Sequence, residues 1–141
     1  MQRGWRQAAL SLAIGFAAAM PGAAQDTPLS VELNKFESFE GGCRSFFLFR
    51  NRGEATLSGF EMSLAILDKG GVIDRLLTID AAPLPAGRTT LKLFEIGDIA
   101  CETIGEVILH DIATCEAAGG EAVDCFAMIE LESLTSAPLV K

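Results

Sequence analysis

Short apolar runs, broken by turn residues roughly every ten positions, extend from residue 28 to residue 133. Several alternate apolar and polar positions, the period of a strand with one buried face. The clearest is "GFEMSLAIL", where residues 60, 62, 64 and 66 are apolar and Glu61 and Ser63 are polar. Seven segments are predicted as strands A to G, at residues 28–38, 43–51, 58–67, 72–80, 88–96, 105–115 and 125–133. This spacing predicts an all-β fold, an immunoglobulin-like antiparallel β-sandwich.

The segments between these strands carry turn chemistry. "DKGG", residues 68–71, has an Asp and two glycines that tolerate the positive φ of tight hairpins. "AAPLPAG", residues 81–87, has two prolines without N–H donors, so it is neither a helix nor a central strand. "FFLF", residues 46–49, is apolar at every position, which predicts a central strand covered on both sides. Only one short helical turn is expected, within residues 97–105.

The N-terminal segment has the layout of a secretory signal peptide. Residues 1–7 include Arg3 and Arg6 and no acid, and the thirteen-residue apolar run "AALSLAIGFAAAM" follows. Pro21 and small residues come next, which predicts cleavage between Ala24 and Gln25. The prediction is therefore a signal peptide at residues 1–24 and a single domain at residues 25–141. An apolar run of thirteen residues is too short to span a bilayer comfortably, so an uncleaved membrane anchor is the weaker alternative.

The arginines of this leader are not adjacent, so the general secretory route is favoured over the twin-arginine route. The predicted location is the periplasm, without stable membrane insertion after cleavage. Cleavage leaves 9 basic residues against 19 acidic ones, and residues 93–132 hold ten acids and no Lys or Arg. A chain this acidic repels phosphate backbones, which excludes nucleic acid as a partner.

Four cysteines lie in the predicted mature chain, and an even count in an exported protein indicates disulfides. If successive strands run antiparallel, Cys43 and Cys101 lie at one end of the sandwich and Cys115 and Cys125 at the other. A crossed pairing would have to span on the order of 30 Å, whereas a disulfide tolerates about 4.4–6.8 Å between Cα atoms. The predicted pairs are therefore Cys43–Cys101 and Cys115–Cys125, and the second pair would lie at one end of a hairpin formed by strands F and G.

No constellation of residues predicts catalysis. His110 is the only histidine, and Asp111 beside it points to the opposite face of a strand. The sequence contains no G-x-S-x-G motif and no tyrosine. We therefore assign no catalytic residue, no metal site and no cofactor.

Two charged groups are candidates for contact with a ligand or partner. Arg44 and Arg50 fall on one side of strand B and Arg52 follows in the turn, and these three arginines are candidates for contact with an anionic ligand or an acidic partner. Their alternative role is pairing with acids on neighbouring strands. The second group is the acidic tip, made of Glu116, Glu121 and Asp124 in the loop "CEAAGGEAVDC". The tip is a candidate for cation or small-ligand binding, but its spacing matches neither zinc knuckles nor calcium loops.

The stretch "FFLFRNRGEATLSGFEMSLAILDKGGVIDRLLTIDAAPLPAGRTTLKL" resembles small exported sandwich domains with a D-x-x-G hairpin and a Thr-rich strand after an Ala-Gly turn. The whole chain is similar to an alphaproteobacterial family of exported proteins commonly labelled as having a Tat pathway signal sequence domain. This chain lacks the paired arginines of that label, and the resemblance implies only fold and compartment. The sequence therefore favours a non-catalytic binding or structural module for another envelope or periplasmic protein. The alternatives are a small-ligand or divalent-cation binding protein and an enzyme of unrecognised type.

Overall fold

The computed structural model describes residues 28–141, which form two four-stranded sheets packed as a sandwich. The strands are β1 (Leu29–Phe39), β2 (Gly42–Asn51), β3 (Leu57–Asp68), β4 (Ile73–Asp80), β5 (Arg88–Gly97), β6 (Ile104–Ala117), β7 (Ile129–Ser133) and β8 (Leu139–Val140). A 3₁₀ turn at Cys101–Thr103 and a one-turn helix α1 (Cys125–Met128) complete the elements of this range. The all-β sandwich predicted from the sequence is confirmed. The predicted signal peptide lies outside the described residues, as do residues 25–27.

The first sheet has the order β5-β2-β1-β7 and the second the order β4-β3-β6-β8. Consecutive pairs such as β1–β2 and β3–β4 are antiparallel, as are β2–β5 and β3–β6. By contrast, β7 runs parallel to β1 and β8 runs parallel to β6. The sheets are therefore mixed, and the prediction of a wholly antiparallel sandwich was wrong at the C-terminal end.

The prediction that strand G would form a hairpin with strand F was also wrong. Residues 125–128 form the helical turn α1, whose first free N–H groups are capped by Asp124: its Oδ1 accepts a hydrogen bond from the Ala127 N–H at 3.3 Å. The chain leaves this turn towards the first sheet, and Ile129 pairs with Leu29 of β1. The apolar alternation of β7 is satisfied equally well in either sheet, so the sequence pattern did not distinguish the two.

The core lies between the two sheets and is built from the apolar faces of the predicted strands. Phe49 of β2 and Phe60 of β3 are almost fully buried, and their rings meet edge to face with centroids 5.9 Å apart. Phe47 packs edge to face on Phe94 of β5 at 5.9 Å. Both sheets therefore contribute aromatic rings to one continuous apolar layer. No helix within residues 28–141 is long and apolar enough to cross a membrane.

Strand β2 is central in its sheet but is fully covered on one face only. Phe47 and Phe49 point into the core, whereas Phe46 and Leu48 on the other face are half-buried. The expectation that both faces would be covered was wrong because a two-layer sandwich leaves the outer face of each sheet to solvent. This outer face carries the candidate site described below.

Two disulfides close the sandwich at opposite ends. Cys43 and Cys101 have their Cα atoms 5.0 Å apart, and Cys115 and Cys125 have theirs 6.2 Å apart. These are the pairs predicted from the strand directions, and the described chain has no free cysteine. Because disulfides persist in oxidising compartments, the two bridges indicate an extracytoplasmic environment.

Candidate interaction surface

Strand β5 is an edge strand of the first sheet and runs for ten residues. Within the described residues it pairs with β2 alone, so the backbone N–H and C=O groups along its other side have no strand partner. Natural edge strands are usually short, bulged or covered, and β5 pairs with β2 without a register shift. It therefore offers a straight hydrogen-bonding row to a further strand as far as Gly97, whose carbonyl oxygen accepts a hydrogen bond from Arg75 of β4.

An apolar stripe lies on the outer face beside this edge. Leu91 is 61% exposed and Leu93 is 46% exposed, and these are two of the six large apolar side chains exposed in the described range. In the sheet register Leu91 is opposite Leu48 and Leu93 is opposite Phe46. Because paired residues share a face, these four side chains form one patch, which we call the leucine stripe.

Ion pairs border the leucine stripe at its Glu95 end. Arg44 Nε donates a hydrogen bond to Glu95 Oε1 at 2.9 Å, and its Nη1 lies 3.6 Å from Glu37 Oε1. The hydrogen bond to Glu95, together with the charge of both carboxylates, raises the pKa of the Arg44 guanidinium. Lys35 places its Nζ 4.7 Å from the centre of the Phe46 ring. A polar border around exposed apolar side chains is typical of protein interaction sites.

The opposite end of β5 is basic. A depression of about 330 Å³ is lined there by Arg50, Asn51, Arg52, Gly87, Arg88 and Thr89. Arg88 is exposed, and its side chain makes no hydrogen bond or ion pair within residues 28–141. We call this depression with its three arginines the arginine pocket. It concentrates three of the chain's eleven basic residues at one end of an edge strand.

Asn51 fixes the backbone around the arginine pocket. Its side chain is buried and donates hydrogen bonds from Nδ2 to the carbonyl oxygens of Ala55 and Leu84, each at 2.9 Å. Its Oδ1 accepts from the Gly53 N–H at 3.0 Å. These three bonds hold the turn that carries Arg52 against the segment that leads into β5. The residue thus acts as a structural clamp whose role follows from its buried amide.

A second depression, of about 430 Å³, lies on the other side of Arg50 and Arg52, towards β7. It is lined by Ser30, Val31, Glu32, Arg50, Arg52, Glu130, Leu131 and Glu132. Ser30 Oγ is the one buried side-chain oxygen or nitrogen without a hydrogen-bond partner in the described residues. The two arginines therefore separate an acidic depression, with three glutamates, from the arginine pocket beside Arg88.

The structure brings together only part of the arginine group considered in the sequence. Arg50 and Arg52 line the same pockets, and Arg50 Nη1 donates to Glu32 Oε2 at 3.0 Å. Arg44 lies six residues away along β2, about 20 Å at strand spacing. Arg44 and Arg50 thus pair with acids of neighbouring strands, which is the alternative role considered for them, and Arg50 also lines an open pocket. Arg88, which completes the pocket, was missed because its register partner was unknown from the sequence.

The acidic tip does not gather into a ligand set. Glu116, Glu121 and Asp124 are exposed, and Asp124 is engaged in capping α1. Within residues 28–141 no group of three or more His, Cys, Asp or Glu side chains is arranged to hold a metal ion. The Ala117 N–H donates to the Glu121 carbonyl oxygen at 2.8 Å, so the loop between Cys115 and Cys125 is closed by its own backbone as well as by the disulfide.

His110 lies at an irregular position of β6. The register between β3 and β6 shifts between Ser63–Asp111 and Leu64–Leu109, which leaves His110 as the extra residue of a bulge. Its side chain is exposed, and no hydrogen bond or ion pair joins it to Asp111 in the described chain. The geometry therefore does not assemble a base with an orienting acid at this position.

Comparison of the chain with protein-family models, with curated proteins and with solved structures finds no match.

Proposed function

We propose that this protein is an exported, non-catalytic binding module that docks another envelope or periplasmic protein on the edge strand β5 and the leucine stripe. One observation carries the proposal: Leu91 and Leu93 are exposed beside a ten-residue strand that pairs with no strand on its outer side in the described chain. Apolar side chains at an open edge favour strand addition, in which main-chain hydrogen bonds supply affinity and side-chain pockets supply specificity.

The exported location is part of the same proposal. It is supported by the signal-peptide pattern of residues 1–24, by the resemblance to exported alphaproteobacterial proteins and by two disulfides that need an oxidising compartment. The formal net charge of −8 supports a protein rather than a nucleic acid as the partner. A covalently closed sandwich is also well suited to present a rigid edge, because ordering the surface costs little on binding.

In-cell photo-crosslinking tests this function. The full-length chain carries a photoreactive residue at position 91 in one strain and at position 110 in a matched control strain. Both positions are exposed and both lie on strands, but His110 belongs to the opposite sheet. The expected result is a discrete protein adduct from position 91 that is missing from position 110. No adduct at position 91, or the same adducts at both positions, would contradict the proposal.

A further inference from the structure

The two ends of β5 differ in their charged side chains. Arg88 lies at the first residue of the strand with an unpaired guanidinium, and Glu95 lies near the last with its carboxylate held by Arg44. Between them the outward-facing residues are Thr89, Leu91 and Leu93. A segment added to this edge therefore meets an unpaired cation at its Arg88 end and an apolar middle. At the other end the Glu95 carboxylate is already paired with Arg44, and Arg75 donates to the Gly97 carbonyl oxygen.

These charges distinguish the two directions in which a segment could add. A segment antiparallel to β5 has its carboxyl end beside Arg88, and a parallel segment has it beside Glu95. A carboxylate is stabilised by the unpaired guanidinium of Arg88, since arginine binds carboxylates through paired hydrogen bonds. At the opposite end of β5 the guanidinium of Arg44 is already paired with Glu95 and Glu37. The antiparallel direction is thus favoured for a segment that ends in an anion.

The backbone at the arginine pocket also favours a chain terminus. The residues before β5 leave the first sheet, and Leu84 forms a bridge to Leu57 of β3 instead. The Leu57 N–H donates to the Leu84 carbonyl oxygen at 3.0 Å and the reverse bond is 2.9 Å. A segment paired with β5 therefore has no further hydrogen-bonding row to follow beyond Arg88. The open space at this point is the pocket of about 330 Å³.

From these observations we infer that β5 binds the C-terminal segment of its partner, extended and antiparallel to β5, with apolar residues on the leucine stripe and the free carboxylate in the arginine pocket. The inference rests on the proposed function and specifies its ligand. Arg88 is the specificity-determining residue because its guanidinium is unpaired in the described chain.

A second copy of this chain is a less suitable occupant of the same edge. Two β5 strands related by a twofold axis bring Leu91 opposite Leu93 of the copy only when Lys92 lies directly opposite itself. Like charges in that position destabilise a strand pair. The register that places Leu91 opposite Leu91 of the copy places Leu93 opposite Thr89. Leu93 then has no apolar residue opposite it. Self-association is therefore an alternative outcome of the test.

The test uses the purified mature protein and a synthetic library of fully randomised heptapeptides, made once as free acids and once as C-terminal amides. Peptides enriched on the protein are measured by fluorescence anisotropy. We expect apolar residues at alternate positions and binding of the free acid at least about tenfold tighter than that of the amide. Arg88→Gln should abolish the preference for the free acid. Lys69→Gln, which removes an exposed cation from the turn between β3 and β4 of the other sheet, is the matched control and should preserve it.

Three results would overturn the inference: enriched peptides that bind equally as acid and amide, a preference that survives Arg88→Gln, or a library without any binder. Blocking of the edge by dimerisation, seen as a concentration-dependent mass in light scattering, would identify a second copy as the occupant and also overturn it. The proposed function is tested separately by the in-cell crosslinking experiment. It requires an adduct at position 91, whichever segment of the partner is crosslinked. An adduct with an internal loop of the partner would support the proposed docking function. The same adduct would contradict the inference that β5 binds the partner's C-terminal carboxylate.

Discussion

Arg50 Nη1 on β2 donates a hydrogen bond to Glu32 Oε2 on β1 at 3.0 Å, and the Glu32 side chain is only 7% exposed. The other carboxylate oxygen accepts a bond of 2.7 Å from Asn34 Nδ2. A carboxylate removed from water on the outer face of a sheet is thus held by two donors. Its register partner on β7 is Glu132, which lines the same depression as Arg50.

Replacing Glu32 with Gln should lower the free energy of unfolding by about 1.5 kcal/mol, the low end of the range for hydrogen bonds to charged groups. The low end applies because Arg50 is 31% exposed and water replaces part of the lost interaction. Urea titration of the wild type and the variant measures the difference. Glu132→Gln, an exposed carboxylate in the neighbouring row, is the control and should change stability by less than about 0.5 kcal/mol. Equal losses in the two variants would contradict a special role for the buried pair.

The same carboxylate predicts how stability depends on pH. The hydrogen bond from Asn34 and the interaction with Arg50 lower the pKa of Glu32 below its ordinary value of 4.5, against the opposing effect of burial. A carboxylate with a lowered folded-state pKa adds stability that is complete above the unfolded pKa and is lost as pH falls through the folded one. We expect the wild type to lose stability below about pH 4.5 and Glu32→Gln to lose less over that window. Parallel profiles of melting temperature against pH for the two proteins would refute this.

The two disulfides should differ in their contribution to stability. Cys43–Cys101 closes a separation of 58 residues, and Cys115–Cys125 closes a separation of 10. In the chain-entropy model these loops correspond to roughly 4 and roughly 2.7 kcal/mol. Paired Cys→Ser substitutions, each removing one bridge completely, should reduce unfolding free energy in that order. A larger loss from the short loop would show that native contacts at α1, rather than loop closure, set its contribution.

Substitutions at Phe49 and Phe46 should separate the two faces of β2. Phe49→Ala removes a fully buried ring that meets Phe60, and should cost about 3–5 kcal/mol. Phe46→Ala removes a half-buried ring of the outer face and should cost clearly less, although its contact with Lys35 is lost. Thermal or urea unfolding of the two variants checks the order. Equal losses would mean that something covers the outer face of the first sheet.

Leu91→Lys should leave the fold intact while removing the exposed apolar surface. The side chain is 61% exposed, so the change in unfolding free energy should stay within about 0.5 kcal/mol. Fluorescence of a dye that binds apolar surface should fall, and any tendency to self-associate at this edge should fall with it. Leu76→Lys, at a position 62% exposed on the other sheet, is the matched control. A loss of stability at position 91 larger than at position 76 would contradict the structure of this edge.

The strands and the disulfide pairs were predictable because each depends on local patterns with a fixed period. Alternation along β3 identifies its inner face without knowledge of its neighbours. Strand direction then places Cys43 with Cys101, since both lie at one end of the sandwich. The predicted short helical turn near residue 101 is also present, as a 3₁₀ turn.

The edge surface was not predictable because it depends on which strands are neighbours. Leu91 and Leu93 look like core residues in the sequence, and only the register opposite Phe46 and Leu48 shows that their face meets solvent. Arg88 likewise becomes part of a pocket because Asn51 pairs with it and carries the arginine turn alongside. The sequence contains these residues in separate segments, and the sheet order that joins them is a tertiary property.

The pairing of Leu29 with Ile129 joins residues one hundred positions apart, and β8 reaches the second sheet only after that. Contacts of such long sequence separation form late, because the entropy of closing the intervening loop must be overcome first. Until β7 and β8 arrive, β1 and β6 each remain open on one side. The pairing of residues 129–141 therefore completes both sheets in the last step of folding. A chain that is still emerging from a narrow channel would keep its sandwich incomplete until β7 and β8 have both emerged.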